Sequence, residues 1–416
     1  MFNREFAFKT YCNLRYAAPA ARARRFLSST YRTGYASLKN FYARAAGLHL
    51  GAFATVLNAK SRFKIESILV RSPNWIGDQV LSFPFFYHLR KLYPKAYITA
   101  VCVDWVQDIQ FKDLVDEVFV LPRPYKNTWP GKFIEKFEIL ENASRQLKSI
   151  RNYDLAIILP GSFSAAWLVF RAGAKKRIGY GGDGRSFLLN DKRYHKKHEK
   201  IHRAQAFLNL LEGLVNFKAE NTFPGEFSFF DPIKSWRNVV PLEPPVENFW
   251  VLAPGSQATS RMWPAEYFLK LSMLIYEQTH IKGAIVGGEN EVSIAAWLLK
   301  NGNNCFLDFT GCGSVTSYWK LFQYAAFTVS NDSGLAHMSS LCGSRVYIVW
   351  GGGNPIHTRP LGPGLIYINS RSVDCWPCER NICSKKGTEE LQCLKGIHPE
   401  SVFNEIKKHG LLEKYK

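Results

Sequence analysis

Several stretches of the chain carry residues whose types and spacing could do chemistry. In Arg71-Ser-Pro-Asn-Trp-Ile-Gly77-Asp78 a carboxylate stands between an apolar run and a helical pattern. It could take a proton from an attacking hydroxyl or cap the helix by accepting an orphan N–H, and position alone favours the cap. In Ala253-Pro-Gly255-Ser256-Gln-Ala-Thr259-Ser260-Arg261-Met-Trp263-Pro264 a loop of small residues supplies hydroxyls, exposed amides and one fixed cation. Such loops hold phosphate, with Ser256 donating and Arg261 gripping two oxygens; the plainer reading is a surface arginine beside a Pro-initiated helix.

The stretch Ser330-Asn331-Asp332-Ser333-Gly334-Leu335-Ala336-His337 again lies between a strand pattern and a helix pattern. A helix beginning near Ser333 offers free amides and a positive dipole end to a pyrophosphate, and Asp332 could bind sugar hydroxyls. The alternative is that Asp332 or Ser333 caps the helix and His337 is packed. No Asp-x-Asp occurs in the chain, so a diphosphate here would be neutralised by Arg261 and helix dipoles rather than by a bridging cation.

Between Arg171 and Arg203 stand eleven Lys or Arg, among them Lys175, Lys176, Arg177 and Arg185, against Asp183, Asp191 and Glu199. The stretch could meet acceptor phosphates or be a solvated face, and it lacks the strand-borne aromatics of a nucleic-acid platform. Cys375-x2-Cys378-x4-Cys383-x9-Cys393 has metal-ligand spacing; a structural zinc, two disulfides or a partly reduced loop all satisfy it. Neither a general base nor an open ligand marks a catalytic metal there. The other five cysteines, Cys12, Cys102, Cys305, Cys312 and Cys342, have the apolar or small neighbours of buried thiols in a reducing cytoplasm.

These motifs need strands and helices to position them. Apolar runs at Ser67 to Arg71, Ala96 to Cys102, Glu117 to Leu121 and Asp154 to Leu159 alternate with helical patterns. A second set, Phe249 to Ala253, Gly283 to Val286, Phe327 to Ser330 and Val346 to Trp350, follows the Pro-rich stretch Pro241 to Pro245. Such alternation predicts βαβ units and two parallel-sheet domains joined at the prolines. Glu400 to Tyr415 predicts a closing amphipathic helix through Val402, Phe403, Ile406 and Leu411.

Composition agrees with two cores: 416 residues with 46% hydrophobic content exceed one ordinary domain and exclude a disordered chain. No apolar run reaches the ~18 residues of a spanning helix. The formal charge of +20 favours a polyanionic partner. Residues 1–60 hold ten Lys or Arg against Glu5 alone, interleaved with aromatics. A membrane-surface extension, a transit peptide and a helix packed on the body all share that pattern.

Over about residues 64 to 408 these segments, in this order, resemble glycosyltransferase family 9, the lipopolysaccharide heptosyltransferases. The resemblance is carried by Ile68-Leu-Val-Arg-Ser-Pro-Asn-Trp-Ile-Gly77-Asp78, by Arg261-Met-Trp263-Pro264 where the family has Lys-x-Trp-Pro, and by Asn331-Asp332-Ser333-Gly334-Leu335-Ala336-His337. Leu159-Pro-Gly-Ser162-Phe-Ser-Ala-Ala166, Arg177-Ile-Gly-Tyr180 and the Cys-rich tail look like the heptosyltransferase II subgroup.

The resemblance implies an α/β GT-B fold, two Rossmann-like domains facing each other across a cleft. The expected divisions are a basic extension at 1–63, an acceptor domain at 64–240, a donor domain at 247–395 and a C-terminal helix at 396–416 returning toward the first domain. It implies Asp78 as general base and an ADP-heptose donor held by Ser256, Arg261, Glu291, Asp332, Ser333, Gly334, Leu335 and His337. The acceptor, a phosphorylated lipid-linked saccharide of the lipopolysaccharide inner core, falls to Asn74 and Ser162 with Lys175, Arg177 and Arg185. No cofactor beyond a possible structural zinc, no nucleic acid, and a peripheral place on the cytoplasmic face of the inner membrane complete the expectation. The rivals are another nucleotide-sugar donor, or a basic anionic-surface or nucleic-acid binding protein with an inert cleft.

Overall fold

A computed structural model of the protein describes residues 64–124, 131–194, 200–219 and 231–415. The basic extension at 1–63, with Cys12, lies outside the described residues, as do His195 to Glu199 of the basic stretch. The chain from Ile65 onward forms one compact unit.

Its first half runs β1 (Ser67–Arg71), α1 (Ile76–Leu81), α2 (Phe83–Leu92), β2 (Tyr97–Val103), β3 (Glu117–Leu121), α3 (Gly131–Ile150), β4 (Leu155–Ile158), α4 (Phe163–Arg171), β5 (Lys176–Tyr180), β6 (Asp191–Arg193) and α5 (Arg203–Asn209). The second half runs β7 (Phe249–Ala253), α6 (Ala265–Thr279), β8 (Lys282–Ile285), α7 (Val292–Asn301), β9 (Phe306–Asp308), α8 (Trp319–Tyr324), β10 (Thr328–Asn331), α9 (Gly334–Leu341), β11 (Val346–Trp350), α10 (Pro355–Thr358), β12 (Ile366–Ser370), α11 (Gln392–Lys395) and α12 (Pro399–Lys408).

The strands form two six-stranded parallel sheets, ordered β3-β2-β1-β4-β5-β6 and β12-β11-β10-β7-β8-β9. Counted from its own first strand, the second sheet repeats the order of the first. β1, β7 and β11 are buried along their whole length, as parallel strands covered on both faces must be, which is why they read as unbroken apolar runs. In each sheet the order reverses beside the first strand, between β1 and β4 and between β7 and β10. Loops leaving those strands diverge and open a crevice at the carboxyl edge. The four sequence motifs at Asp78, Ser162, Ser256 and Asp332 all follow one of these four strands.

Four strands were not foreseen. β6 and β9 have three residues each, and β5 opens on Lys176-Arg177 inside the basic stretch. β12 closes the other end of its sheet and is only partly buried. β6, β9 and β12 lie at sheet edges, where short or half-exposed strands carry little apolar signal, and the charges that open β5 mask its apolar end. The closing helix is shorter than expected and packs on α6 of the second half, with Val402 and Ile406 in that core, instead of returning to the first. Its amphipathic stripe fixed a buried face but not the surface that covers it. Cys102, Cys305 and Cys342 are buried, whereas Cys312 is exposed, because it sits in the loop after β9. Among the described residues no helix is long and apolar enough to cross a membrane.

Candidate active site

The crevice is built where α1 of the first half meets α9 of the second. Each helix follows a switch-point strand, and each start has an aspartate: Asp78 in the first turn of α1, and Asp332 between β10 and the N-cap of α9. Trp75 occupies the N-cap position of α1 and Asp78 stands two residues into the helix, so the carboxylate is not its cap. Its side chain is 20% exposed, and Nη1 of Arg203 at the start of α5 approaches Oδ2 to 3.7 Å. Burial raises the Asp78 pKa, while Arg203 and Arg261 pull it back down.

Asp332 is more enclosed, at 3% exposure, and Oδ2 lies 3.1 Å from Nη1 of Arg261. The pair is in contact without the alignment of a hydrogen bond, leaving Asp332 Oδ2 and Arg261 Nε unpartnered among the described residues. Burial pushes the Asp332 carboxyl up to about 6, against Arg261 and with help from the charge on Asp78. The two carboxylates therefore share one field with two guanidinium groups between the sheet edges. A side chain on Gly353 would collide with Asp332 Oδ2 and stand 3.1 Å from Trp350 Nε1, another buried unpartnered atom.

Local hydrogen bonds fix the loop carrying Arg261. The buried Asn331 amide donates to Pro254 O at 2.6 Å, and its Oδ1 accepts from Trp263 N at 2.9 Å, pinning both ends of the loop to the end of β10. Ser256 Oγ donates to Asp332 O at 3.4 Å. Glu291 accepts from Gly288 N at 2.8 Å, and its side chain lies so close over Gly255 that a β-carbon there would be 2.5 Å away. Ser333 is the N-cap residue of α9 and its side chain makes no capping bond, so the first amides of the helix keep their capacity for an anion. Gly334 lies against Ile76, Leu335 packs on the shared core, and His337 is buried with its ring against Gly77. Burial holds the His337 pKa near 3, so its imidazole is neutral.

The acceptor-side residues divide. Asn74 accepts from Arg71 Nη2 at 2.6 Å beside Asp78, and Ser162 caps α4 by accepting from Ala165 N at 3.3 Å. Arg185 is buried and stitches two carboxyl-edge loops, donating to Tyr180 O at 2.7 Å and Gly161 O at 3.0 Å. Lys175 and Arg177 stand elsewhere. Lys175 pairs with Asp154 at 2.8 Å just before β5 and β4, at the amino edge of the sheet. Arg177 donates to Leu188 O and Ala174 O, each at 2.7 Å. A charge count does not say which end of a strand a residue occupies; parallel register does.

All four C-terminal cysteines are free and line one cavity. Four thiols are the donor type a soft divalent ion takes. Even so, no three His, Cys, Asp or Glu side chains among the described residues are arranged to hold a metal. The lobe's visible work is mechanical. Ser260 N donates to Asn381 O at 3.2 Å, bracing the Arg261 loop, while Glu379 N donates to Gly352 O at 2.7 Å and Trp376 Nε1 to Gly351 O at 2.8 Å, holding the turn after β11.

Sequence reasoning singled out neither Arg203 nor His202 as a cleft residue. His202 Nε2 meets Arg359 O at 2.9 Å across the two halves. Both belong to the basic stretch, and only the docking of α5 beside α1 brings them to the crevice.

The profile of glycosyltransferase family 9 (heptosyltransferase) matches residues 142–389. A lipooligosaccharide heptosyltransferase 2 from Haemophilus ducreyi is 26% identical over 358 residues, 82% of this chain and 98% of that protein. The structure of the Escherichia coli ADP-heptose lipopolysaccharide heptosyltransferase II superposes with a TM-score of 0.64 at 21% identity, covering 84% of this chain and 99% of the other. An E. coli heptosyltransferase solved with ADP gives 0.60 at 17% identity, covering 82% and 99%. The paired sheets are thus the GT-B fold. With well over half of its length inside the family profile, the chain belongs to glycosyltransferase family 9, the heptosyltransferases.

Proposed function

We propose that the protein transfers heptose from ADP-heptose to the inner core of lipopolysaccharide, with inversion at the anomeric carbon. The observation that carries the reading is the pair Asp78 and Asp332, one from each sheet edge, interleaved with Arg203 and Arg261. The two solved relatives named above support the donor, since one is an ADP-heptose lipopolysaccharide heptosyltransferase and the other was solved with ADP.

In this mechanism Asp78 takes the proton of an acceptor hydroxyl while its oxygen attacks the anomeric carbon. The bond from that carbon to the diphosphate breaks as the new one forms. Arg261, Ser256 and the amides at Ser333 and Gly334 stabilise the departing ADP without a metal ion. Asp332 holds the donor sugar and Glu291 the ribose, with Leu335 and His337 shaping the site. Residues 64–240 serve the acceptor through Asn74, Ser162 and Arg185, residues 247–395 the donor, and 396–416 close the second half. The basic aromatic extension at 1–63 rests on the cytoplasmic face of the inner membrane, where a phosphorylated, lipid-linked acceptor is found.

The experiment is release of ADP from ADP-heptose and other nucleotide sugars, with extracted lipooligosaccharide core as acceptor, in EDTA. Turnover by the wild type with ADP-heptose that falls by at least ~10²-fold in Asp78→Ala supports the reading. Turnover only with another donor, or turnover retained in the variant, overturns it.

A further inference from the structure

At the carboxyl edge of the first sheet a chain of hydrogen bonds fixes an indole that the fold leaves in the open. Trp105, in the turn after β2, is 40% exposed, and Trp75, just before α1, is 55% exposed. The Trp105 indole N–H donates to Asn74 O at 2.6 Å, and Asn74 Oδ1 accepts from the buried Arg71 at 2.6 Å. Arg71 in turn donates to Val101 O of β2 at 3.2 Å. The Arg123 guanidinium lies 4.9 Å from the centre of the Trp105 ring and pairs with Asp104 at 2.6 Å. The turn that carries Trp105 packs against α1, the helix of Asp78.

An indole held in solvent returns little to folding, because ordering it costs entropy and its surface is not buried. An apolar plane with Arg123 over one face, on a turn packed against the helix whose Asp78 Arg203 approaches, suits one class of ligand, a pyranose ring bearing anionic groups. The C–H face of the sugar lies on the indole while the guanidinium groups meet the charge. We propose that Trp105 and Trp75 form the acceptor subsite, stacking on the saccharide ring that presents the attacked hydroxyl. This rests on Asp78 being the base of a sugar transfer.

The test is calorimetric binding of de-acylated lipooligosaccharide to the full chain in the presence of ADP, for wild type, Trp105→Ala, Trp75→Ala and Trp105→Phe. Affinity for the saccharide should fall about tenfold in each alanine variant and recover partly in Trp105→Phe, with ADP affinity unchanged. Because binding is read directly, this result supports the subsite even where ADP-heptose is not turned over, an outcome that would sink the transfer reaction alone. Saccharide affinity unchanged in both alanine variants, no saccharide binding by the wild type, or a parallel loss of ADP affinity overturns the subsite. So does loss of binding to saccharide-free phospholipid vesicles with saccharide affinity intact, which would make the indoles membrane anchors.

Discussion

Gly77 and His337 touch across the two halves of the molecule so closely that a β-carbon on Gly77 would stand 2.9 Å from Cδ2 of the imidazole. The contact is reciprocal in kind, since a β-carbon on Gly334 would stand 2.7 Å from Cβ of Ile76. Two helix starts can approach this way only without side chains between them. Each glycine is next to, or two residues from, one of the two aspartates, so this contact sets their separation.

Gly77→Ala and Gly334→Ala should therefore hold the sheet edges apart by a fraction of an ångström to an ångström. Misplacement on that scale costs on the order of 10²-fold in kcat. ADP affinity should change less than kcat in Gly77→Ala, because the added methyl meets the His337 ring and neither Arg261 nor the α9 amides that hold the diphosphate. Steady-state kinetics beside calorimetry with ADP separates the two effects; equal losses in both would contradict the assignment.

Arg203 should tune the base. The Asp78 pKa is raised by burial and lowered by Arg203 and Arg261, and a base works only when ionised, so kcat/KM declines as pH falls through that pKa. Removing the Arg203 charge removes a lowering influence. The acidic limb of the pH–rate profile should move to higher pH in Arg203→Gln and stay in place in Arg203→Lys. A limb that does not move would show that Arg203 does not act on Asp78.

Asp332 should cost stability. Its folded-state pKa, about 6, is above the ordinary 3.8, so the folded chain holds that proton more tightly than the unfolded one. Stability from this group is full below about pH 4 and is lost as pH rises through about 6. The loss is on the order of 3 kcal/mol at neutral pH for so buried a group. Asp332→Asn should raise Tm by a few degrees near pH 7.5, with the gain vanishing near pH 4, while kcat drops at least ~10²-fold. A lower Tm at neutral pH would mean that losing the Arg261 ion pair outweighs relief of the buried charge.

Lys175 and Arg185 should part company. Lys175→Ala removes an exposed ion pair at the amino edge, so acceptor KM should stay within about twofold and stability within ~1 kcal/mol. Arg185→Ala removes the buried guanidinium that donates to the partly buried carbonyls of Gly161, Tyr180 and Gly181, at a cost of about 3 kcal/mol. Urea unfolding of both variants checks the contrast.

The sequence by itself determined what is local. The limits of β1, β3, β7 and β11 are legible to the residue because each is a short apolar run between polar neighbours. Asn331 to His337 is legible because strand end, turn and helix start are contiguous in the chain. Only the tertiary structure decided which of these pieces meet. It put Arg203 on Asp78 by docking α5 beside α1, sent Lys175 and Arg177 to the far side of their strand, laid α12 on α6, and revealed an indole fixed through Asn74. Each depends on contacts between residues distant in sequence. The local pattern says that a face will be buried or a charge solvated, but the partner is chosen by strand order, register and close packing of the whole chain.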